Sequence, residues 1–404
     1  MPSIDPSRED LDRGAPLPNN THIHLPPNFS AFDTVEQAVD MAVAEGIRAL
    51  GCSNYYDYTV YRRFGQLARA AGVHPLFGTE IICLVEDLAR AGRRINDPAN
   101  PGKMYICGKG ISRFDPLSAR GAALLQTIRD KDSMRMAEMI QRLDEVFSAA
   151  GFNSGVTEAT AVEMVVRRHG APRETVCLQE RHIAQAFQET FAARLTADEM
   201  EALLTRAYGV APAAPTDNAV ATQNEIRSRL MKAGTPGYVP ETFVGYDHAR
   251  QLILALGGIP CYPTLADAVT PATDFEETPA ALVERVRQLD IHCAEFIPVR
   301  NSPETLEAYV LAMRRAGIIV TAGTEHNTRD LIPLTPTCRG GAPVPESAAR
   351  IFWEGACVVA AHGDRVARGL EGYVDPRGRR PGGDADIEQR LRSFAAEGQA
   401  ILAG

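Results

Sequence analysis

Two stretches of this chain alternate short apolar segments with segments whose apolar residues recur at helical spacing. In the first stretch, residues 34–44 have one apolar face, Thr34 and Gln37 are spaced as a capping box, and Gly46 ends the segment. The same pattern continues with strands over 47–51, 73–83, 259–262, 291–297 and 317–322, and helices over 57–71, 247–256, 278–289 and 303–315. About six or seven strands in total predict one barrel of alternating strands and helices.

Between these two stretches the alternation stops. Residues from about 112 to 235 have mostly helical periodicity, and Asp132 is placed to cap a helix with a long apolar stripe. We therefore predict a helical insertion that covers the carboxyl ends of the strands. The predicted divisions are an N-terminal arm over 1–18, the first part of the barrel over 19–111, the insertion over 112–240, the second part of the barrel over 241–342 and a C-terminal helical extension over 343–404.

Composition and charge exclude several classes of protein. The 404 residues carry a net charge of −9, and no cluster of lysine and arginine is large enough to follow a nucleic-acid backbone. The polar, acidic start of the chain resembles neither a signal nor a transit peptide, and no apolar run approaches the ~20 residues that cross a bilayer. The eight cysteines occur singly, as is typical of reduced thiols. These features predict a cytoplasmic enzyme that binds neither nucleic acid nor membrane.

The strongest candidate chemistry is the sequence His22-Ile23-His24 at the end of a short apolar strand. Side chains at i and i+2 of a strand lie on the same side, so one metal ion can bind both imidazoles. Four later strand-like segments also end in polar or ligand-type residues, and barrel enzymes build their sites from such strand ends. These ends are Gly78-Thr79-Glu80, Cys261-Tyr262-Pro263, Glu295-Phe296-Ile297-Pro298 and Gly323-Thr324-Glu325-His326-Asn327.

Taken in order, these motifs resemble the polymerase-and-histidinol-phosphatase (PHP) superfamily. The first motif and Asn28-Phe29-Ser30 are similar to the family's opening D-x-H-x-H…Y-S, Gly78-Thr79-Glu80-Ile81 is similar to its G-x-E-I strand, and Ala294-Glu295-Phe296 is similar to its G-I-E-V strand. The resemblance spans roughly residues 19–330. It implies an α/β fold, namely a distorted (β/α)7 TIM-like barrel with metal ions at the strand ends, and in many members the hydrolysis of phosphoesters.

The insertion resembles that of a branch containing small phosphatases and nucleotide phosphoesterases. In that branch an arginine on an R-x-x-x-I-x-x-x-L helix and the histidine of a G-R-P-H-I-A segment contact phosphate. Residues 135–143 and Arg181-His182-Ile183-Ala184 are similar to these two segments. The resemblance therefore implies phosphate binding by Arg135, Arg181 and His182. We add Asn54 to this group as a substrate contact.

Several ligand positions of the family pattern are occupied here by other residue types. Cys52-Ser53-Asn54 stands where the family has T-D-H, Tyr105 and Tyr262 stand where it has histidines, and Glu325, His326 and Asn327 stand in its G-S-D-x-H segment. Amides and phenols are poor replacements for imidazole on a transition metal. The retained set predicts one divalent ion per chain, with zinc, manganese and iron equally compatible. Its candidate ligands are His22, His24, Glu80 and Glu325, with His326 as a fifth.

Three functions are compatible with this set. The first is a single-metal hydrolase of a small phosphorylated metabolite, with a metal-bound water as the nucleophile. The second is a lyase or isomerase of a phosphorylated sugar, and the third is a metabolite-binding protein without turnover. Proton transfer would fall to Tyr105, Lys109 or Tyr262, and Asn327 joins them as a catalytic candidate. A homo-oligomer stays an open alternative.

Overall fold

A computed structural model describes residues 15–241, 243–382 and 386–403, so most of the predicted N-terminal arm lies outside the described residues. Among the residues described, no helix combines the length and the apolarity that a bilayer crossing demands. All eight cysteines are buried, and none of them forms a disulfide bond. The strands are β1 (Asn19–Ile23), β2 (Ala49–Cys52), β3 (His74–Leu84), β4 (Lys103–Lys109), β5 (Val244–Gly245), β6 (Ile259–Thr264), β7 (Cys293–Phe296) and β8 (Ile319–Ala322).

The strands form a nearly closed barrel in the order β1-β2-β3-β4-β6-β7-β8, with the short β5 paired to the far end of β3. The first three strands are parallel and so are the last three, whereas β4 runs antiparallel to both of its neighbours. The two edges meet just after β8, where His24 N donates to Glu325 O at 2.8 Å and Glu325 N donates to His22 O at 2.8 Å. The predicted distorted seven-stranded barrel is therefore confirmed.

Helices cover the outside of the barrel at the positions that the apolar spacing predicts. The first begins after Thr34, whose Oγ1 accepts a hydrogen bond from Gln37 N at 3.2 Å, and its buried residues are Val35, Ala38, Val39 and Ala42. The barrel helices are α1 (Val35–Ala44), α2 (Val60–Ala70), α3 (Glu86–Arg90), α9 (Tyr246–Ala255), α10 (Pro279–Gln288) and α11 (Pro303–Arg315). The C-terminal helices are α12 (Glu346–Ala367) and α13 (Ile387–Ala403).

The insertion has a hydrophobic core of its own, formed by apolar residues between Met136 and Val239. This core packs the helices against one another at the mouth of the barrel. The helices are α4 (Ala119–Ala149), α5 (Glu158–His169), α6 (Glu180–Arg194), α7 (Ala197–Tyr208) and α8 (Ala219–Leu230).

The expected helix start at Asp132 is wrong. The residue that caps helix α4 is Ser118, fourteen residues upstream, and its Oγ accepts a hydrogen bond from Gly121 N at 3.0 Å. The helix extends upstream because Leu125 and Ile128 are buried in the barrel core, while Met136 belongs to the core of the insertion. One continuous helix therefore joins the two cores, and the carboxyl group of Asp132 is free of a capping role.

Candidate metal centre

Three ligand-type side chains converge inside the mouth of the barrel. Nε2 of His22 and Nε2 of His24 lie 3.4 Å apart. Oε2 of Glu80 lies 3.3 Å from the first of these nitrogens and 3.1 Å from the second. All three side chains are buried, and the ring of His24 stacks on that of Tyr55 at 5.2 Å between centroids. The i, i+2 spacing on β1 thus aims both imidazoles at the carboxylate of β3, as the sequence predicts.

A buried ion pair lies directly behind His22. Glu295 Oε2 is 2.5 Å from His22 Nδ1, and Glu295 Oε1 is 2.5 Å from Lys109 Nζ. Burial alone would raise the pKa of Glu295, but Lys109 and His22 lower it to about 2. When the ring of His22 is neutral with its proton on Nδ1, the ionised carboxylate accepts that hydrogen bond and the Nε2 lone pair is directed toward His24 and Glu80. This is the outer-shell arrangement that orients histidine ligands in metal sites.

The resulting donor set fits a divalent metal ion. Glu80 Oε2 is buried and makes no hydrogen bond of acceptable geometry. Burial opposes its ionisation, yet the neighbouring rings of His22 and His24 keep the pKa of Glu80 below its usual value. An ionised oxygen and two imidazole nitrogens, all within 4.8 Å of one another, are donors that zinc, iron and manganese accept.

A second group of ligand-type atoms is less suited to a metal ion. Cys107 lies with His22 and Glu295 on the other side of the imidazole ring. Burial raises the pKa of the Cys107 thiol to about 12, so the thiolate that a metal requires is scarce at neutral pH. The ammonium of Lys109 already neutralises Glu295 at this place. This second group is therefore a poorer set of donors than His22, His24 and Glu80.

Two glycines allow the strands to approach closely around His22. A Cβ on Gly323 would lie 2.3 Å from His22 Cβ, and a Cβ on Gly51 would lie 2.4 Å from Thr21 O. No side chain fits at either distance, so glycine is required on both flanks of β1. These close contacts hold the histidine-bearing strand in one position.

Glu325 lies on the wall of the same site but is held by other partners. The Arg300 guanidinium binds the Glu325 carboxylate with two parallel hydrogen bonds, one of them 2.8 Å long. Asn327 Nδ2 donates to Glu325 Oε2 at 2.6 Å. Glu325 and His326 both adopt positive φ angles, 59° and 50°, a conformation that costs about 1–3 kcal/mol per residue outside glycine. Glu325 is not among the ligand-type side chains that converge with His22, His24 and Glu80 in the described residues.

His326 is held by partners other than the candidate metal ligands. Its Nδ1 lies 2.7 Å from Thr324 Oγ1, its Nε2 lies 2.8 Å from Ile332 O, and its ring stacks on Phe32. Both ring nitrogens are thus engaged by protein groups. The predicted metal-binding role of His326 has no geometric support in this arrangement.

A cavity of about 310 Å³ opens above Glu80, between the barrel and the insertion. Its size suits a small metabolite. Charged and polar side chains dominate its wall. The cations on the wall are Lys103, Arg135, Arg181, Arg227, Lys232 and Arg300, and the carboxyl groups are Glu80, Asp97, Asp132, Glu180 and Glu325.

Of the residues predicted to bind phosphate, Arg135 and Arg181 line this cavity. Arg135 is buried and paired with Glu180 Oε1 at 3.0 Å. Arg181 has no carboxylate partner in the described parts of the chain. Burial, together with the neighbouring Arg227, lowers the pKa of Arg181 to about 10. Arg181 is therefore the better placed of the two to receive an anion.

His182 and Asn54 make internal contacts instead. Gln179 N donates to His182 Nδ1 at 3.1 Å at the start of α6, and burial lowers the pKa of this imidazole to about 3. The Asn54 amide bonds to both backbone groups of Leu25, at 2.8 Å each. Neither side chain is among those that line the cavity. Both residues shape the site by holding its backbone.

The four predicted catalytic residues lie at different depths. Tyr105 and Asn327 line the cavity. Burial raises the pKa of Tyr105 to about 12, although Lys103 lies 5.3 Å from its ring centroid. Lys109 is buried beneath the histidines, and the Tyr262 hydroxyl donates to Glu276 Oε1 at 2.7 Å behind the cavity wall. The structure thus gathers only the first two at the place where a substrate would bind.

Sequence reasoning missed several residues of the site. The sequence patterns place Glu295 on a strand but do not indicate that it pairs with His22. They also do not assign Tyr55, Asp132 or Arg300 to the cavity wall. Arg300 follows directly after β7, so the rule that strand ends carry site residues could have found it. The same rule fits Glu295 at the end of β7 and Tyr55 shortly after β2, whereas no local signal identifies Asp132 as a cavity residue.

Comparison with known proteins identifies relatives by fold. No protein-family model and no curated protein sequence matches this chain. A solved structure from Bifidobacterium adolescentis, assigned as a metal-dependent phosphoesterase, is 15% identical with a TM-score of 0.56, over 83% of this chain and 94% of that one. An amidohydrolase from Chromobacterium violaceum, solved with bound sulfate and no metal, is 17% identical with a TM-score of 0.50, over 80% and 93%. The chain therefore has a barrel fold similar to those of a metal-dependent phosphoesterase and an amidohydrolase.

Proposed function

We propose that this protein is a metal-dependent hydrolase of a small phosphorylated metabolite, and that it belongs to the PHP superfamily. The observation that carries the proposal is the convergence of His22, His24 and Glu80 in a buried group, with Glu295 orienting His22 from behind. Such a set has no evident structural purpose, because three acceptor atoms within 3.4 Å of one another repel unless a cation or a proton lies between them.

The three side chains would hold one divalent ion and leave a coordination position open toward the cavity. Three protein ligands with an open position are typical of catalytic rather than structural metal sites. A bound ion would supply a water of lowered pKa and a Lewis acid for a phosphoryl oxygen. Glu295 would keep the tautomer of His22, and Tyr55 would support the ring of His24 by stacking.

The cationic side chains that the insertion contributes to the cavity wall are suited to an anionic substrate. Arg181 offers its guanidinium without a competing carboxylate, and Arg227 lies 3.7 Å from Glu180, a weak ion pair. Guanidinium groups bind phosphate oxygens with two parallel hydrogen bonds. Amide hydrolysis is the second candidate, because one of the two fold relatives is an amidohydrolase. A phosphorylated substrate accounts better for the number of cations on this wall.

The proposal is tested on the wild-type protein purified without chelator. We expect about one equivalent of zinc, manganese or iron per chain by elemental analysis, and metal-dependent release of inorganic phosphate from a panel of phosphate monoesters. Removal of the ion by a chelator should abolish turnover, and the same ion should restore it. Protein that takes up no metal, or that converts the esters without releasing phosphate, contradicts the proposed hydrolysis. The second outcome would point to the lyase or isomerase.

Replacing Arg181 with methionine tests the anion site. A charge-assisted hydrogen bond contributes about 1.5–3 kcal/mol, so kcat/KM for a phosphate monoester should fall about 10- to 100-fold. Most of the loss should appear in KM, because the guanidinium binds substrate and transition state alike. Arg62→Met is the matched control, since this exposed arginine pairs with Asp115 outside the cavity. Equal kinetics for the two variants would remove Arg181 from substrate binding.

A further inference from the structure

Asp132 differs from every other carboxyl group on the cavity wall. In the described parts of the chain it forms neither a hydrogen bond nor an ion pair, although it is partly buried on α4 one turn before Arg135. The other four carboxyl groups all have partners: Glu80 faces His22 and His24, Asp97 pairs with Lys103, Glu180 pairs with Arg135 and Lys232, and Glu325 pairs with Arg300. A carboxyl group without partners is available to a ligand.

The position of Asp132 brings it within reach of a molecule bound at the metal centre. Ile82 and Tyr56 line both the main cavity and a small neighbouring pocket, and Asp132 lines the same two spaces. Ile82 follows Glu80 by two residues on the same face of β3, which corresponds to about 7 Å along the strand. A phosphoryl group held above Glu80 can therefore direct its ester oxygen toward Asp132.

The surroundings of Asp132 bring its pKa close to neutral pH, so that its protonated form is present there. Burial raises its pKa to about 7, and Glu180 on α6 adds to the rise. Arg135 on α4 and Lys103 on β4 act in the opposite direction. Other titratable groups near it are Tyr56, Cys177 and Lys131. Burial raises the pKa of the Tyr56 hydroxyl far above its usual value and that of the Cys177 thiol to about 12, so both stay neutral. General acids work best when their pKa lies near the working pH.

We propose that Asp132 is the general acid of this site, which protonates the leaving oxygen of an alkyl phosphate. The assignment rests on the proposed phosphoester hydrolysis. As the phosphorus–oxygen bond breaks, its electron pair stays on the leaving oxygen, and that oxygen takes the proton from Asp132. The oxygen of a solvent water forms the new bond to phosphorus, and a proton of that water passes to solvent. A second proton from solvent restores Asp132, so one ester and one water give one alcohol and one phosphate.

The test compares two substrates with different leaving groups. Asp132→Asn should lower kcat for an alkyl ester such as glycerol phosphate about 10²- to 10⁴-fold, because a positioned acid contributes a factor of this size. The same variant should hydrolyse p-nitrophenyl phosphate within about threefold of wild type, because nitrophenolate leaves without a proton. In the wild type, kcat/KM for the alkyl ester should fall as pH rises above about 7, and the variant should lose this dependence.

Two further variants separate chemistry from folding. Asp132→Glu keeps the carboxyl group and should recover part of the alkyl-ester activity, whereas Asp130→Asn, on the exposed side of the same helix, should match wild type on both substrates. If Asp132→Asn slows both esters equally, or neither, the general-acid assignment is wrong while the proposed hydrolase stands. If the wild type releases phosphate from neither ester, the proposed function fails first and the assignment fails with it.

Discussion

Replacing Lys109 with methionine is expected to destabilise the protein by about 3–5 kcal/mol, the usual cost of leaving a buried charge without its partner. Lys109 and Glu295 are almost completely buried, with 2% and 1% of their side chains exposed, and their charged atoms lie 2.5 Å apart. Methionine fills a similar volume, so the loss comes from the Glu295 carboxylate rather than from a cavity. The free energy of unfolding measured by urea denaturation, with metal removed from all samples, tests this expectation.

A second variant and a control test whether the loss of stability comes from the unpaired Glu295 carboxylate. Lys109→Met combined with Glu295→Gln removes both charges of this pair and should recover most of the lost stability. It should still bind metal 10- to 100-fold more weakly, because the amide is a poorer acceptor for His22 Nδ1 than the carboxylate. Lys232→Met is the matched control, since this half-exposed lysine pairs with Glu180 and should cost about 1 kcal/mol or less. A loss below about 1 kcal/mol in Lys109→Met itself would contradict the buried-pair argument.

Glu80→Gln is expected to abolish both metal binding and turnover. The substitution keeps the shape of the side chain but removes the negative charge that lies 3.1–3.3 Å from the two imidazole nitrogens. We expect the bound metal to fall below about one tenth of an equivalent and kcat/KM to fall at least ~10³-fold, which corresponds to about 4 kcal/mol. Elemental analysis after dialysis, followed by phosphate release, measures the two effects separately.

Glu325→Gln offers the matched comparison, because both carboxyl groups line one cavity. Arg300 and Asn327 hold the Glu325 carboxylate, so this variant should keep its metal ion. Metal loss from Glu325→Gln equal to that from Glu80→Gln would show that Glu325 is a fourth ligand, as the sequence pattern suggests. Full metal content in Glu80→Gln would refute the three-residue site.

The apolar spacing was sufficient to predict the barrel and its helical insertion, because each strand and helix buries one face. It did not reveal that β4 is antiparallel, since periodicity carries no information on strand direction. The true start of α4 at Ala119 was missed for a related reason. Leu125 and Ile128 continue the buried stripe upstream, but they pack on the barrel rather than on the insertion.

The candidate metal ligands were predictable because they are local: His22 and His24 are neighbours on one strand, and Glu80 follows the next strand-end pattern. The residues that orient these ligands could not be predicted from the sequence. Glu295 meets His22 across 273 positions of sequence, and a single sequence contains no rule that pairs them. The sequence also does not show which predicted ligands are occupied by other protein groups. His326 contacts Thr324, and Glu325 pairs with Arg300.

The single long helix α4 has a mechanical consequence. Its 31 residues span about 46 Å, and it passes from one core to the other without a proline or an internal glycine beyond Gly121. Such a helix is stiff and resists bending where it passes from the barrel to the insertion. We therefore expect Asp132 and Arg135, which both lie on this helix, to keep a constant height above the metal centre when a substrate enters.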